Sequence, residues 1–228
     1  MHSNKNNLQV LHEDNHIVVI NKRAGDIVQG DKTGDKPLSD VVKEYIKDKY
    51  NKPGAVYLGT VHRLDRPTSG VVIYARTSKA LERLNKMLRE KTIKKTYWAV
   101  VKNEPKKSED TLINFLKKNP KNNKSTAYPK EIDGSKKAIL HYKILKKLDN
   151  YSLLEIDLET GRHHQIRVQL SNIGATIKGD LKYGAKRSNK DGSIHLHARK
   201  IEFIHPVSKE IIKITAPTPK EAIWDACL

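Results

Sequence analysis

Residues 62–70, with the sequence HRLDRPTSG, set one carboxylate between two guanidiniums, ahead of a turn and an apolar run. Neighbouring positive charge favours the ionised form of a carboxylate and opposes the effect of burial, so we expect Asp65 to stay ionised. An ionised, partly desolvated aspartate can act as a nucleophile or as a base. The simpler alternative is that Asp65 caps a turn before a strand, which is a common position for this residue type.

The segment HRLDRPTSG resembles the HRLD-x-x-TSG signature of the RluA-type pseudouridine synthases, the large branch that isomerises uridines in ribosomal and transfer RNA. Further stretches resemble the same family in the same order, and they extend the likeness over nearly the whole chain. They are LHEDNHIVVINKRAG (11–25), KTYWAV (95–100), TGRHHQIRV (160–168), IKGDLKYG (177–184) and LHA (196–198). The chain departs from the family at Arg23, where proline is usual, and at Gln169, where histidine is common.

The resemblance implies a reaction that breaks the bond between ribose C1′ and uracil N1, turns the base and rejoins it through C5. It implies that Asp65 initiates the cleavage, either by attack at C1′ or by removal of the 2′ proton. It places Tyr97 against the target base, where a phenol can stack and transfer a proton at C5. It pairs Arg167 with Asp65. The alternatives are a core tyrosine and a surface arginine on a short helix.

The resemblance also places Arg63 at the RNA interface. We predict further RNA contacts from basic and polar residues close to the same motifs, namely His62, Arg66, Arg162, His164 and Gln165. The enzyme must extrude the target uridine, because C1′ and C5 cannot both be reached in a stacked and paired nucleotide. We therefore expect the target in a loop or an easily opened stem, and ribosomal and transfer RNA are both compatible with the sequence.

The composition favours a polyanionic partner. The 228 residues include 44 Lys and Arg against 26 Asp and Glu, which gives a formal net charge of +18. Each cation that neutralises a phosphate releases condensed counterions and so strengthens binding to nucleic acid. The alternative is a general lysine bias that serves solubility.

A single cysteine, Cys227, excludes an intramolecular disulfide and a zinc site built from cysteines. The sequence contains no signal peptide and no apolar run long enough to span a bilayer, so we expect a cytoplasmic protein. We also expect a monomer. The chain begins almost directly with the first family motif. We therefore expect it to lack an N-terminal S4-like RNA-binding domain.

We expect no cofactor, because the isomerisation is redox-neutral and the sequence contains no P-loop, no GxGxxG and no paired cysteines. The pairs His163-His164 and His195-x-His197 suggest a metal site only weakly, since spacing indicates no third ligand. We expect these histidines to pack in the core or to contact RNA, and we expect no metal.

Hydrophobic patterning predicts mixed elements without regular βαβ alternation. The predicted elements are two strands within 8–20, a helix over 38–50 capped by Ser39 or Asp40, a strand over 71–75, a helix starting at Ser78, strands over 96–101 and 151–159, and a helix over 165–172 before Gly174. In the helix that starts at Ser78, Leu81, Leu84 and Leu88 are expected to share one face. This order favours an α+β fold with a mainly antiparallel sheet. The resemblance implies the pseudouridine synthase catalytic fold, a mixed sheet flanked by helices and loops around a central cleft, as one domain over residues 1–228.

Residues 102–137 are rich in Lys, Asn, Ser and Pro, and we predict a mobile basic excursion between strands. With residues 183–191, this segment is expected to decide which RNA is bound. A solvated loop without contacts is the alternative.

Two other classes of function stay open. A non-catalytic RNA-binding protein could use the same fold without the chemistry of Asp65. A nucleosidase that releases free uracil is less well supported, because the second carboxylate of such enzymes is not evident in the sequence.

Overall fold

The computed structural model describes residues 2–31 and 33–228. Eleven strands, four α-helices and one 3-10 turn lie in these parts of the chain. In chain order they are β1 (Val10–Glu13), β2 (Ile17–Lys22), α1 (Leu38–Lys49), β3 (Gly59–Thr60), β4 (Ser69–Ala75), α2 (Ser78–Arg89), β5 (Lys94–Val101), β6 (Glu109–Asn119), β7 (Lys124–Tyr128), β8 (Lys136–Lys147), β9 (Ser152–Leu158), α3 (Gln165–Asn172), the 3-10 turn (Leu181–Tyr183), β10 (Leu196–Ile204), β11 (Ile211–Thr215) and α4 (Ala222–Cys227). None of the helices in these residues is long and apolar enough to cross a membrane.

The chain forms two compact units. The first comprises Met1–Lys94 and Ala198–Pro219, and the second comprises Lys95–His197 and Lys220–Leu228. The single catalytic domain expected from the sequence stays a prediction.

In the first unit, β2 and β4 are the central strands, and every residue of both is buried. They pair antiparallel from Ile17 opposite Ala75 to Lys22 opposite Gly70. Strand β1 continues the sheet beyond β2, β3 pairs with β4, and β11 pairs with β10. Because both faces of β2 and β4 are covered, these strands consist of continuous β-branched runs rather than alternating ones. They place the loop of residues 61–68 at the start of β4.

Helix α2 packs on the core of this unit through the leucines predicted from the sequence. Leu84 is fully buried, and Leu81 and Leu88 pack against the same cluster. The helix begins after Thr77, whose hydroxyl accepts a hydrogen bond from the backbone N–H of Ala80 at 3.2 Å, as an N-cap residue does. For α1, the predicted cap is wrong: the N-cap residue is Pro37, and no side chain caps the helix.

In the second unit, the strands follow the order β5-β9-β8-β6-β7, and each neighbouring pair is antiparallel. Trp98 and Val100 on β5 pack with Leu153 on β9 and with Trp224 and Cys227 on α4. Helix α3 ends as predicted, with Gly174 in the left-handed region at φ +81°. The mainly antiparallel α+β fold expected from the sequence is confirmed.

The prediction of a mobile excursion over residues 102–137 is wrong, because this segment forms β6, β7 and the start of β8. Leu112 and Leu116 on β6 are buried, and residues of intermediate or full exposure lie between them. The prediction was based on the polar composition of the whole segment, which does not show that these two leucines are buried on one strand. Since ladder hydrogen bonds connect β6 to strands on both sides, its solvent-facing lysines do not prevent strand formation. In the second segment expected to decide RNA binding, residues 183–191, Tyr183 is buried.

Candidate active site

The loop that carries Asp65 is held by a buried lysine. Lys22, at the end of β2, is 1% exposed. Its ammonium group donates hydrogen bonds to the carbonyl oxygens of Arg23 at 2.9 Å, Arg66 at 3.1 Å and Thr68 at 2.7 Å. Two of these carbonyls belong to the HRLDRPTSG loop, and the loop also closes on itself through the Thr68 N–H, which donates to the Asp65 carbonyl at 3.0 Å. Lys22 thus fixes the backbone on the C-terminal side of the Asp65 side chain.

Burial of the Lys22 ammonium lowers its pKa from 10.5 to about 7, against the opposing charges of Asp26 and Asp65. An amine with this pKa is close to half protonated at neutral pH. Sequence reasoning assigned no role to Lys22. Its signal was a lysine at the end of an otherwise apolar, fully buried strand.

Gly70, at the end of the motif, lies close to the backbone of Ala198. A Cβ at this position would lie 2.4 Å from the Ala198 carbonyl oxygen, and the backbone has φ +115°. Only glycine tolerates both conditions. The last residue of HRLDRPTSG is therefore required for β4 to pack against β10.

The other charged and polar side chains of the loop differ in their surroundings. Asp65 is half-buried and Arg63 is exposed. Arg66 donates hydrogen bonds to Asp35 at 2.7 Å and to the Thr33 hydroxyl at 2.8 Å. The Nε2 atom of His62 accepts a hydrogen bond from a backbone N–H of β4 at 3.2 Å. Arg63 is thus the residue of the loop most open to a ligand.

In the second unit, α3 carries a buried ion pair. Arg167 donates from Nε to Asp180 Oδ2 at 2.7 Å and from Nη2 to Asp180 Oδ1 at 2.8 Å, and the two side chains are 6% and 1% exposed. Such side-on, two-point pairing fixes the plane of the guanidinium. The guanidinium carbon also lies 5.1 Å from the centre of the Tyr183 ring. Arg167 is therefore held in one orientation by residues on either end of the 3-10 turn.

Tyr183 connects this ion pair to the turn before α3. Its hydroxyl accepts a hydrogen bond from the Ser125 N–H at 2.8 Å and lies 2.9 Å from Nδ1 of His164. The His164 ring stacks on that of His163, with centres 3.7 Å apart. His164 has φ +54°, a left-handed conformation that is uncommon for residues other than glycine and often occurs at functional sites.

The segment before α3 is stabilised by Gln165. Its side-chain oxygen accepts hydrogen bonds from the Thr160 hydroxyl at 2.8 Å and from the Arg162 N–H at 3.0 Å, and its amide donates to the Ile139 carbonyl at 3.0 Å. Arg162 is exposed, and its Nε donates a hydrogen bond to the Lys137 carbonyl oxygen at 3.0 Å. Gln165 and His164 are buried, whereas Arg162 lies at the surface.

Tyr97 lies on β5 opposite Ile156 of β9 and is 7% exposed. Asp65 belongs to the first unit, and Tyr97 and Arg167 belong to the second. The pairing of Arg167 with Asp65 and the role of Tyr97 stay predictions. Asp180 and Tyr183 were missed as supports for Arg167, although both lie in the matching segment IKGDLKYG.

The histidine pairs serve different purposes in the second unit. His163 and His164 stack beside Tyr183, and His195 and His197 both lie against Trp224. Within residues 2–31 and 33–228, no group of three His, Cys, Asp or Glu side chains has the arrangement of a metal site.

The sequence matches the model of the family described as RNA pseudouridylate synthase over residues 16–172. It is 36% identical over 216 residues to an uncharacterized RNA pseudouridine synthase of Synechocystis sp., covering 93% of this chain and 66% of that protein. It is 32% identical over 222 residues to an uncharacterized RNA pseudouridine synthase of Bacillus subtilis, covering 94% and 70%. It is 38% identical over 220 residues to ribosomal large subunit pseudouridine synthase C of Buchnera aphidicola, covering 92% and 67%. The chain thus spans about two thirds of the length of these relatives.

Two solved structures share the fold. Human RNA Pseudouridylate Synthase Domain Containing 4 superposes with a TM-score of 0.79 at 23% identity, over 96% of this chain and 92% of that one. Human RNA Pseudouridylate Synthase Domain Containing 1 superposes with a TM-score of 0.75 at 22% identity, over 100% and 90%. At this level of identity the likeness concerns the fold.

Proposed function

Since the chain belongs to the RNA pseudouridylate synthase family, whose members are isomerases, we propose that it converts specific uridines of ribosomal or transfer RNA to pseudouridine. One observation carries this proposal. The family match includes Asp65, Tyr97 and Arg167, and the Asp65 loop has a backbone fixed by the buried ammonium of Lys22. Catalysis by positioned groups depends on this kind of preorganisation.

In the proposed reaction, the C1′–N1 bond of uridine breaks and a C1′–C5 bond forms. Asp65 initiates the cleavage, by attack at C1′ or by removal of the 2′ proton. After the base turns, the proton at C5 is lost, and N1 ends with a proton. The phenol of Tyr97 is proposed to move the C5 proton. The rearrangement is neutral in charge and in redox state, so the proposal includes no cofactor.

Arg167 is proposed to keep Asp65 ionised and oriented. A guanidinium has five N–H donors, and Asp180 accepts from two of them through Nε and Nη2. Other donors of the same group would serve Asp65. Asp180 is then a positioning residue, because it fixes the plane in which Arg167 presents those donors.

RNA is the proposed partner, and the predicted contact residues divide by exposure. Arg63 and Arg162 are exposed and suit contacts with phosphates or with the gap left by the extruded uridine. His164 and Gln165 are buried, and we propose that they shape the turn before α3. His62 and Arg66, which brace the loop of Asp65, complete the predicted interface. We also propose that the protein is monomeric and cytoplasmic.

The test is to map pseudouridine by chemical labelling and sequencing of unmodified total RNA, after incubation with wild-type protein or with Asp65→Asn. We expect new sites with the wild type, none with the variant, and RNA affinity of the variant within a few fold of wild type. Asp149→Asn, a change at an exposed aspartate outside the strands, is the matched control and should retain activity.

Pseudouridine formed by Asp65→Asn would contradict the assigned role of the carboxylate. Free uracil among the products would indicate a nucleosidase. If neither protein forms pseudouridine and Asp65→Asn binds RNA as tightly as the wild type, the result would favour a non-catalytic RNA-binding protein.

A further inference from the structure

A basic loop follows the turn that supports Arg167. We define it as residues 184–193, and it presents Lys186, Arg187 and Lys190 to solvent. It begins directly after the 3-10 turn, where the N–H of Ala185 donates to the Asp180 carbonyl at 3.0 Å. This bond holds only the start of the loop, so the position of the three cations depends on the contacts made by the residues that follow Ala185.

The loop is fixed by the amide of Asn189. Lys178 Nζ lies 2.7 Å from Oδ1 of this residue. An ammonium group can only donate, so the oxygen must face Lys178, and this assigns the two ends of the amide. The Nδ2 group then donates to Ser193 Oγ at 3.1 Å and to His195 Nδ1 at 2.9 Å. Asn189 thus joins the loop to side chains on both of its flanks.

The amide also packs against the backbone beside Asp180. A Cβ at Gly179 would lie 2.8 Å from Asn189 Nδ2 and 2.8 Å from the Ser193 carbonyl oxygen, and Gly179 has φ +87°. The absence of a side chain at Gly179 is therefore what lets Asn189 approach. The contact links the basic loop to the segment that carries the partner of Arg167.

The Asn189 bond identifies the tautomer of His195. Since Nδ2 of Asn189 donates, Nδ1 of His195 must be an unprotonated acceptor, and the ring proton is on Nε2. Nε2 lies 2.8 Å from Glu221 Oε2 but does not have the geometry of a hydrogen bond. The ring is 1% exposed and stacks on Trp224, with centres 5.3 Å apart. Burial, with the charge of Lys178, lowers the pKa of His195 to about 4, which agrees with a neutral ring.

The backbone of His195 completes the connection. Its N–H donates to the Lys178 carbonyl at 2.9 Å, and its carbonyl accepts from the Val100 N–H at 2.9 Å. Val100 lies on β5, the strand that carries Tyr97. His195 therefore contacts the strand of Tyr97, the segment of Asp180 and, through Asn189, the basic loop.

We propose that His195 is a positioning residue whose Nδ1 atom holds Asn189, and with it the basic loop, so that Lys186, Arg187 and Lys190 meet RNA phosphates in a fixed arrangement. The proposal rests on the proposed function in one respect, that the partner is RNA. The hydrogen-bonded link between His195 and the loop does not depend on it.

Two substitutions separate the hydrogen bond from the packing of the ring. His195→Phe keeps an aromatic ring against Trp224 but removes the acceptor. His195→Asn removes the ring but can place an amide oxygen close to the position of Nδ1, where Asn189 can still donate. The measurements are hydrogen exchange of the amides of residues 184–193, and binding of a uridine-containing stem–loop RNA over a series of salt concentrations.

We expect exchange in the basic loop to increase at least tenfold in His195→Phe and to stay within threefold of wild type in His195→Asn. The slope of log affinity against log salt should fall by about 1–2 in His195→Phe, because fewer phosphates are neutralised. A control protein with alanine at positions 186, 187 and 190 should show the reduced slope without the increase in exchange.

The opposite order, with His195→Phe like wild type and His195→Asn altered, would overturn the proposal and assign His195 a packing role only. If His195→Phe fails to fold, Asn189→Ala replaces it. Exchange of the basic loop at the wild-type rate in Asn189→Ala would also overturn the proposal. A wild-type protein without affinity for RNA would contradict the proposed function, while the exchange pattern would still decide the role of His195.

Discussion

Replacement of Lys22 by methionine tests how the loop of Asp65 is held. Methionine has a similar length, so packing is retained, but three carbonyl oxygens lose the donor that they share in the wild type. Leaving a buried acceptor unpaired costs roughly 1–3 kcal/mol. Against this, lowering the pKa of a lysine from 10.5 to about 7 corresponds to a cost of about 5 kcal/mol for burying the charge. The two effects nearly cancel at pH 7, so the stability difference there is a poor test.

The pH dependence of the difference is the sharper test. Because the pKa of Lys22 is lower in the folded chain than its ordinary value of 10.5, the unfolded chain keeps a proton that the folded chain has released. Stability therefore rises with pH from about 7 towards 10.5 in the wild type. Between pH 7 and pH 9, we expect the free energy of unfolding of the wild type to rise by about 2 kcal/mol relative to Lys22→Met.

The assay is urea denaturation at 25 °C at pH 7, 8 and 9, with the two proteins compared at each pH so that the other titrating groups cancel. Lys47→Met, at an exposed lysine, is the matched control and should follow the wild type. Parallel curves for the wild type and Lys22→Met would refute the reasoning, because they would mean that Lys22 keeps its proton in the folded protein throughout this range.

Three further results are expected. Gly70→Ala should lower the free energy of unfolding by roughly 3 kcal/mol in thermal denaturation, because the new Cβ would meet a backbone oxygen and the backbone φ is positive. The control Gly54→Ala should be nearly neutral, because no atom lies within 4 Å of a Cβ at that position. Asp180→Asn should lower kcat roughly tenfold to a hundredfold, by weakening charge-assisted hydrogen bonds to Arg167, and an unchanged kcat would contradict the positioning role. Lys118→Ala on β6 should reduce the salt slope of RNA binding by about 1, and an unaltered slope would mean that this lysine does not contact phosphate.

The sequence by itself determined the features that depend on local pattern. The apolar run of residues 71–75 predicts the buried strand β4, and the leucines of α2 predict its buried face. Gly174 predicts the end of α3. The order of the motifs identified the family. Each motif, such as the carboxylate beside arginines and turn residues, consists of neighbouring residues and can therefore be recognised in the sequence.

The tertiary structure alone decided the features in which distant residues meet. Residues 102–137 form strands because β6 pairs with β8 in the sheet. Composition alone does not predict the stabilisation that comes from this pairing. The bond between Arg167 and Asp180 depends on how the 3-10 turn packs against α3. The lowered pKa of Lys22 depends on complete burial. Burial also keeps the ring of His195 neutral, and the amide of Asn189 selects its tautomer. Hydrogen-bond partners and the exclusion of water are set by packing, so they cannot be derived from spacing along the chain.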